Sequence, residues 1–173
     1  MNGKSNNCYD VCIVGGLGHV GLPLGLSFAD VGKNVVLYDI DRAAIEKVSS
    51  GKMPFLEAGA EVILKNVLGK KLHLSADNNV IKNSNFVVVV IGTPIDEHLN
   101  PNFTLFKKFF EKIIDFITDE QHIILRSTVF PGTTEKIKEY LEAKGKQTKL
   151  SFCGVCLGDG IAVEELGFIR VIF

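Results

Sequence analysis

Three glycines and one aspartate are the first residues in this chain whose types and spacing suit a chemical task. Gly16, Gly18 and Gly21 stand in the run VCIVGGLGHVGLPLG (11–25), spaced G-x-G-x-x-G, between an apolar strand-like segment and a helix-like one. In such a turn Gly16 permits a tight reversal, Gly18 leaves the backbone bare for a pyrophosphate, and Gly21 lets helix and strand pack closely. His19 and Val20 complete the turn, and the helix start beyond it offers free N–H groups and the positive end of its dipole to an anion. Asp39 ends the next apolar run, NVVLYD (34–39), 18 residues after Gly21. A carboxylate there accepts hydrogen bonds from both hydroxyls of an adenosine ribose and repels a 2′-phosphate. Arg42 is the one nearby cation, and no basic cluster offsets the acid. Glycine-rich turns are common. Strand, glycines, helix and terminal acid in that order predict a dinucleotide site that prefers NAD to NADP.

The elements that must position these residues alternate along the chain. Strands are expected at 9–14, 34–39, 72–74, 86–92, 122–128 and 150–153. Helices are expected at 19–31, 41–50, 57–68, 76–82, 104–117 and 133–143. Val20, Leu24, Phe28 and Val31 fall on one face of the first helix, and Gly32 ends it. Glu61 and Lys65 are spaced for an i,i+4 pair. FVVVVIG (86–92) is apolar and β-branched throughout, the pattern of a strand buried on both faces. Phe106, Phe109, Phe110, Ile113 and Ile117 give the helix at 104–117 a broad apolar face. This alternation predicts an α/β fold, a Rossmann-type doubly wound parallel sheet in a single domain. The expected organisation is a polar tail at 1–8, the dinucleotide-binding domain at 9–153, and a glycine-rich final segment at 154–173.

Bulk properties narrow the alternatives. The chain has 173 residues, 46% hydrophobic and 23% charged, a globular balance. Its 19 basic and 20 acidic residues provide no field for nucleic acid or an anionic membrane. The start MNGKSNNCYD lacks the apolar core of a signal peptide, and no apolar run is long enough to span a bilayer. A cytoplasmic protein with free thiols is expected. Cys153 and Cys156 form a single C-x-x-C, and His19, His73, His98 and His122 are scattered. A zinc site needs a second pair or nearby histidines, so no metal is expected.

Four stretches in order, GLGHVGLPLG, VVLYDID, IGTPIDEHLNP and RSTVFPGTTEKI, resemble the UDP-glucose/GDP-mannose dehydrogenase family. The wording TPIDE and STVFPGTTE is most similar to bacterial UDP-N-acetylmannosamine dehydrogenases. The likeness runs from about residue 9 to 166. It implies oxidation of the C6 alcohol of a nucleotide sugar to a carboxylate with two NAD. By motif, Gly16, Gly18, His19, Val20 and Gly21 would cradle the pyrophosphate and Asp39 the ribose. Gly92, Thr93 and Pro94 would line the cofactor cleft, and Ser127 and Thr128 would lie near the nicotinamide. The family threonine matching Thr128 helps to hold a catalytic water. Other dehydrogenases that share the first turn, of the hydroxy-acid or 6-phosphogluconate type, do not predict TPIDE followed by STVFPGTTE.

The resemblance weakens near the end of the chain. Gly154, Val155 and Cys156 stand where the family has Pro-Glu-Arg, so a valine replaces a glutamate that takes part in the chemistry. Asp159 matches a second glutamate that approaches the cofactor, and Ile161 replaces a lysine. The family's central helix, its sugar-binding domain and its nucleophilic cysteine have no counterpart in these 173 residues. The expectation is therefore a chain that binds NAD but needs the missing portion to act on a nucleotide sugar. The alternative is a non-catalytic NAD-binding or interaction module. Apolar residues Phe168, Ile169, Val171 and Phe173, left without the family's central helix, predict association into homo-oligomers.

Overall fold

The computed structural model describes residues 8–92, 103–127, 129, 131–154 and 160–168. Six strands form one sheet: β1 (Tyr9–Val14), β2 (Val35–Tyr38), β3 (Leu72–Ser75), β4 (Ser84–Val89), β5 (His122–Leu125) and β6 (Lys149–Phe152). Their order is β3-β2-β1-β4-β5-β6, and every pair is parallel. This is the doubly wound arrangement in which strand order reverses beside β1, so the crevice between β1 and β4 opens at the carboxyl edge. The register sets Val11 against both Val35 and Phe86, and Val14 against both Tyr38 and Val89.

The helices are α1 (Gly21–Asp30), α2 (Arg42–Ser49), α3 (Ala60–Val67), α4 (Asn79–Lys82), α5 (Phe103–Ile113), α6 (Thr133–Ala143) and α7 (Ala162–Phe168). Each face of the sheet has its own core. One joins Ile13, Leu37 and Leu72 to Leu22 and Leu26 of α1 and Leu64 of α3. The other joins Cys12, Val36, Val87 and Ile123 to Phe106, Phe110, Ile137 and Leu141 of α5 and α6. Strands buried on both sides explain why β1, β2 and β4 are nearly all apolar.

Several expectations change. The first helix buries Leu22, Leu24, Gly25, Leu26 and Ala29, while Val31 is 73% exposed. A stripe through Val20, Leu24, Phe28 and Val31 is therefore not its buried face, because α1 is enclosed by the sheet on one side and by α3 and α7 on another. The third helix begins at Ala60 rather than residue 57, because Gly59 takes a left-handed conformation (φ +71°) that a helix cannot include. Glu61 and Lys65 are exposed and form no ion pair among the described residues. Phe86 is 39% exposed, so β4 is not covered on both faces at its amino end. The helix at 103–113 gives way to a tight 3₁₀ turn over Ile114–Phe116. The strands expected to run to residues 92 and 128 stop at Val89 and Leu125.

The expected glycine stop after the first helix matches. Gly32 and Gly51 follow α1 and α2 with φ of +90° and +77°. Asp41 caps α2, its carboxylate accepting from the amides of Ala43 and Ala44 at 3.0 and 3.1 Å. Of the final segment, Gly160 to Phe168 is described, and Val163 and Leu166 pack against the first core. The side chain of Phe168, and residues Ile169, Val171 and Phe173, lie outside what is described, as do Val155, Cys156 and Asp159.

Candidate cofactor site at the carboxyl edge

The glycine turn is built by three backbone constraints. Gly15, not Gly16, carries the left-handed conformation, with φ +79°. A side chain on Gly16 would place its Cβ 2.8 Å from both the Ile13 carbonyl and Leu37 Cβ. Gly16 is thus required for close approach to β2, and the reversal expected of it falls to its neighbour. Gly21 would set a Cβ 2.6 Å from the Gly15 carbonyl, so it allows α1 to start directly over the turn. Gly18 differs from both. Its Cβ would meet nothing nearer than the Gly15 carbonyl at 3.8 Å, and the residue is exposed. The space in front of Gly18 is open.

Helix α1 begins at that opening without a side-chain cap and with no acidic residue in its first turn. Its first turn thus carries no carboxylate of its own, and the vicinity suits a bound phosphate. The turn is pinned to β2, since the amides of Gly15 and Gly16 both donate to the Tyr38 carbonyl at 3.0 and 3.1 Å.

Asp39 sits one residue beyond β2 and beside this turn. Its Oδ2 accepts from the Leu17 amide at 3.0 Å and its Oδ1 from the Asp41 amide at 3.1 Å. The carboxylate thus braces the glycine turn, a task the sequence did not disclose. Two oxygens with about four acceptor positions retain capacity for further donors. The Asp39 amide donates to the Ser75 carbonyl, which borders an open depression lined by Arg42, Ile45, Leu74, Ser75, Ala76 and Asp77. Arg42 is exposed there, on the first turn of α2.

On the other side of β1, the carboxyl end of β4 meets the turn. The position a Gly15 Cβ would take lies 3.3 Å from the Val90 carbonyl, and Gly92 is exposed just beyond. Ser127 follows β5 and its hydroxyl donates to the Ile91 carbonyl, tying the ends of β4 and β5. Gly16, Gly18, His19, Val20, Gly21, Asp39, Arg42, Gly92 and Ser127 thus share the carboxyl edge. Thr93, Pro94, Thr128 and Asp159 lie outside the described residues.

Three features escaped sequence reasoning. Arg126 is buried, its Nη1 donates to Cys153 Sγ at 2.9 Å, and its Nε has no partner among the described residues. Phe55 stacks on the His19 ring with centroids 4.0 Å apart and planes at 19°. Glu57 is buried and its Oε1 accepts from the Val163 amide at 2.9 Å. The acid two residues after an aromatic, in a loop closed by Gly59, was the available signal for the last two. Among the described residues no cluster of histidine, cysteine, aspartate or glutamate could hold a metal ion, and no helix is long and apolar enough to cross a membrane.

Comparison with known proteins adds the family to this geometry. Residues 9–167 match the NAD binding domain of the UDP-glucose/GDP-mannose dehydrogenase family. A UDP-N-acetyl-D-mannosamine dehydrogenase of Pyrococcus horikoshii is 33% identical over 128 residues, 73% of this chain and 30% of that protein. The UDP-glucose 6-dehydrogenase TuaD of Bacillus subtilis is 32% identical over 156 residues, 87% of this chain and 34% of that protein. The solved structure of UDP-D-ManNAc dehydrogenase from Pyrococcus horikoshii superposes with a TM-score of 0.81 at 28% identity, over 90% of this chain and 38% of that one. The chain spans about a third of the length of these curated relatives. With strand order, glycine turn and sequence in agreement, the chain belongs to the UDP-glucose/GDP-mannose dehydrogenase family, as an NAD-binding domain.

Proposed function

We propose that the carboxyl edge takes NAD in one orientation. The diphosphate lies on Gly16, Gly18, His19, Val20 and Gly21, and the adenosine ribose on Asp39, with Arg42 beside it. The nicotinamide half points toward Gly92, Thr93, Pro94, Ser127 and Thr128. The observation that carries this reading is the uncapped start of α1, with open space at Gly18 and the Asp39 carboxylate alongside. NAD when bound supplies a hydride acceptor; the residues named here bind and orient it. Calorimetric titration with NAD and with NADP tests the site. Saturable NAD binding, weaker NADP binding and a loss in Asp39→Asn support it. A folded sample that binds neither overturns it.

The reaction served is the oxidation of the C6 alcohol of a nucleotide sugar, of the UDP-N-acetylmannosamine or UDP-glucose type, to a carboxylate. Support comes from the activities named for the two curated relatives. Thr128 would help to hold a water and Asp159 would approach the cofactor. Residues 1–173 by themselves are inactive in this reading. The second hydride transfer needs a thiol that traps the aldehyde covalently, and none of the four cysteines stands in the family's motif for it.

A second reading is a non-catalytic NAD-binding or interaction module, favoured by Val155 in the place of a glutamate. Valine neither moves protons nor binds water. Mixing the domain with the sugar-binding portion of a relative separates the two. Turnover that appears in Val155→Glu favours the dehydrogenase. None in either form, with NAD still bound, favours the module.

A further inference from the structure

Three contacts lead away from the cofactor edge as one connected path. The exposed His19 ring, inside the glycine turn, lies flat on Phe55 with centroids 4.0 Å apart. Phe55 belongs to the loop 51–59, bounded by Gly51 and Gly59, both left-handed. Two residues on, the buried Glu57 accepts from the Val163 amide in the first turn of α7. The Ala58 amide donates to the Gly160 carbonyl at 2.9 Å. Helix α7 in turn packs on α1, the helix that starts at Gly21.

We propose that loop 51–59 is a strap joining the diphosphate turn to α7, and that Phe55 is a positioning residue for cofactor binding. This rests on the reading of Gly16–Gly21 as the diphosphate site. A glycine turn has little side-chain packing to hold it, because its glycines must leave the ligand side open. His19 is the turn's one aromatic side chain, and Phe55 limits where that ring can go. The backbone of residues 18–20 is thereby held near the shape that receives an anion, and part of the ordering cost of binding is met before the ligand arrives. Glu57 fixes the far end. A buried carboxylate whose bond to a helix amide is lost is left unsatisfied, so the strap cannot leave α7 at small cost. Coupling is reciprocal by linkage: a ligand that orders the turn also steadies α7, and a firm α7 favours the ligand.

The test measures NAD affinity by calorimetry and backbone amide hydrogen exchange in the full chain, for the wild type, Phe55→Ala, Phe55→Tyr and Glu57→Gln. Phe55→Ala should weaken NAD binding about 5-fold to 10-fold, a change of about 1–1.4 kcal/mol. Phe55→Tyr, which keeps the ring, should stay within about twofold; a general packing defect would not be rescued so selectively. NAD should slow exchange at Val163 and its neighbours in α7 in the wild type. That slowing should disappear in Phe55→Ala and weaken in Glu57→Gln, whose uncharged amide oxygen is a poorer acceptor for the Val163 amide. Unchanged affinity in Phe55→Ala, or α7 exchange indifferent to NAD in the wild type, overturns the proposal. Without cofactor, Phe55→Ala should quicken exchange at residues 17–20. If the wild type binds no NAD, the diphosphate reading fails by itself, and this ligand-free arm still decides whether the strap holds the turn.

Discussion

The two halves of the carboxyl edge are built in different ways. On the β1–β2 side, each shaping contact is local and complete. Gly15 and Gly16 donate to Tyr38, Asp39 receives Leu17 and Asp41, and two glycines approach backbone too closely for any Cβ. On the β4–β6 side, Ser127 ties two strand ends, but Arg126 leaves a buried Nε without a partner among the described residues. There the sheet also keeps aromatic surface exposed at Phe152. The first half is stabilised by its own chain segment. In the second, a buried donor is unpaired among the described residues, and such a donor costs free energy. Among the described residues, bonding is thus complete on the β1–β2 side of the edge and incomplete on the β4–β6 side.

The strongest break in this comparison comes from the glycines. Gly21→Ala forces a Cβ to 2.6 Å from a backbone carbonyl that cannot rotate away. Overpacking of this kind costs about 3 kcal/mol, and NAD binding should be lost with it, as urea denaturation and titration would show. Gly18→Ala meets no such clash. It should unfold like the wild type yet bind NAD at least about 10-fold more weakly, through its added methyl alone. Equal effects of the two variants would erase the distinction between a glycine needed for packing and one needed for ligand approach.

Asp39→Asn ranks next. It removes the charge that accepts from Leu17 and Asp41 and keeps the shape. A charged hydrogen bond contributes about 1.5–3 kcal/mol, so NAD affinity should fall by about 10-fold or more in calorimetry. Ser127→Ala, on the other half, should lower the unfolding free energy by about 1 kcal/mol and alter NAD affinity by less than about threefold. A larger effect of Ser127 on binding would show that the nicotinamide side is better organised than its bonding indicates.

Thiol chemistry sharpens the contrast between centre and surface. Burial pushes the Cys12 thiol up to about 12, against a smaller opposing effect of its bond to Ser84, while Cys8 is exposed. Iodoacetamide at pH 8 should therefore label Cys8 and spare Cys12 until the protein unfolds, as peptide mass mapping would reveal.

The smallest expected effect is at His122, tilted against Phe86 and bonded through Nε2 to Ser151 Oγ. Desolvation, and then the Lys149 charge, hold its pKa below the usual 6.5. The unfolded chain thus binds more protons between the folded and unfolded values. Stability should decline slightly as pH falls through about 6.5. His122→Gln should flatten that part of a melting-temperature profile.

Much of this was legible in the sequence, for identifiable reasons. Alternating apolar runs and glycine stops are local signals, and they located the six strands and α6 from Thr133 to Ala143. The glycine turn and Asp39 were legible because each obeys a spacing set by backbone geometry. The division of labour between Gly15 and Gly16 was not, because it depends on how near Leu37 of β2 lies. Nor could Glu57 be assigned, since its partner Val163 is 106 residues away. Burial of α1 on several sides hid its true face, because enclosure by α3 and α7 is a tertiary fact.

The placement of β1 has a consequence for the order in which this chain can be made. Its two neighbours are β2 and β4, the second of which begins at Ser84. During synthesis β1, β2 and β3 can assemble while the other side of β1 has no strand to pair with. Through that interval the segment Val11–Val14 presents bare N–H and C=O groups beside apolar side chains, the surface on which foreign strands add. A strand paired on both sides in the finished domain is thus open on one side while the chain is being built.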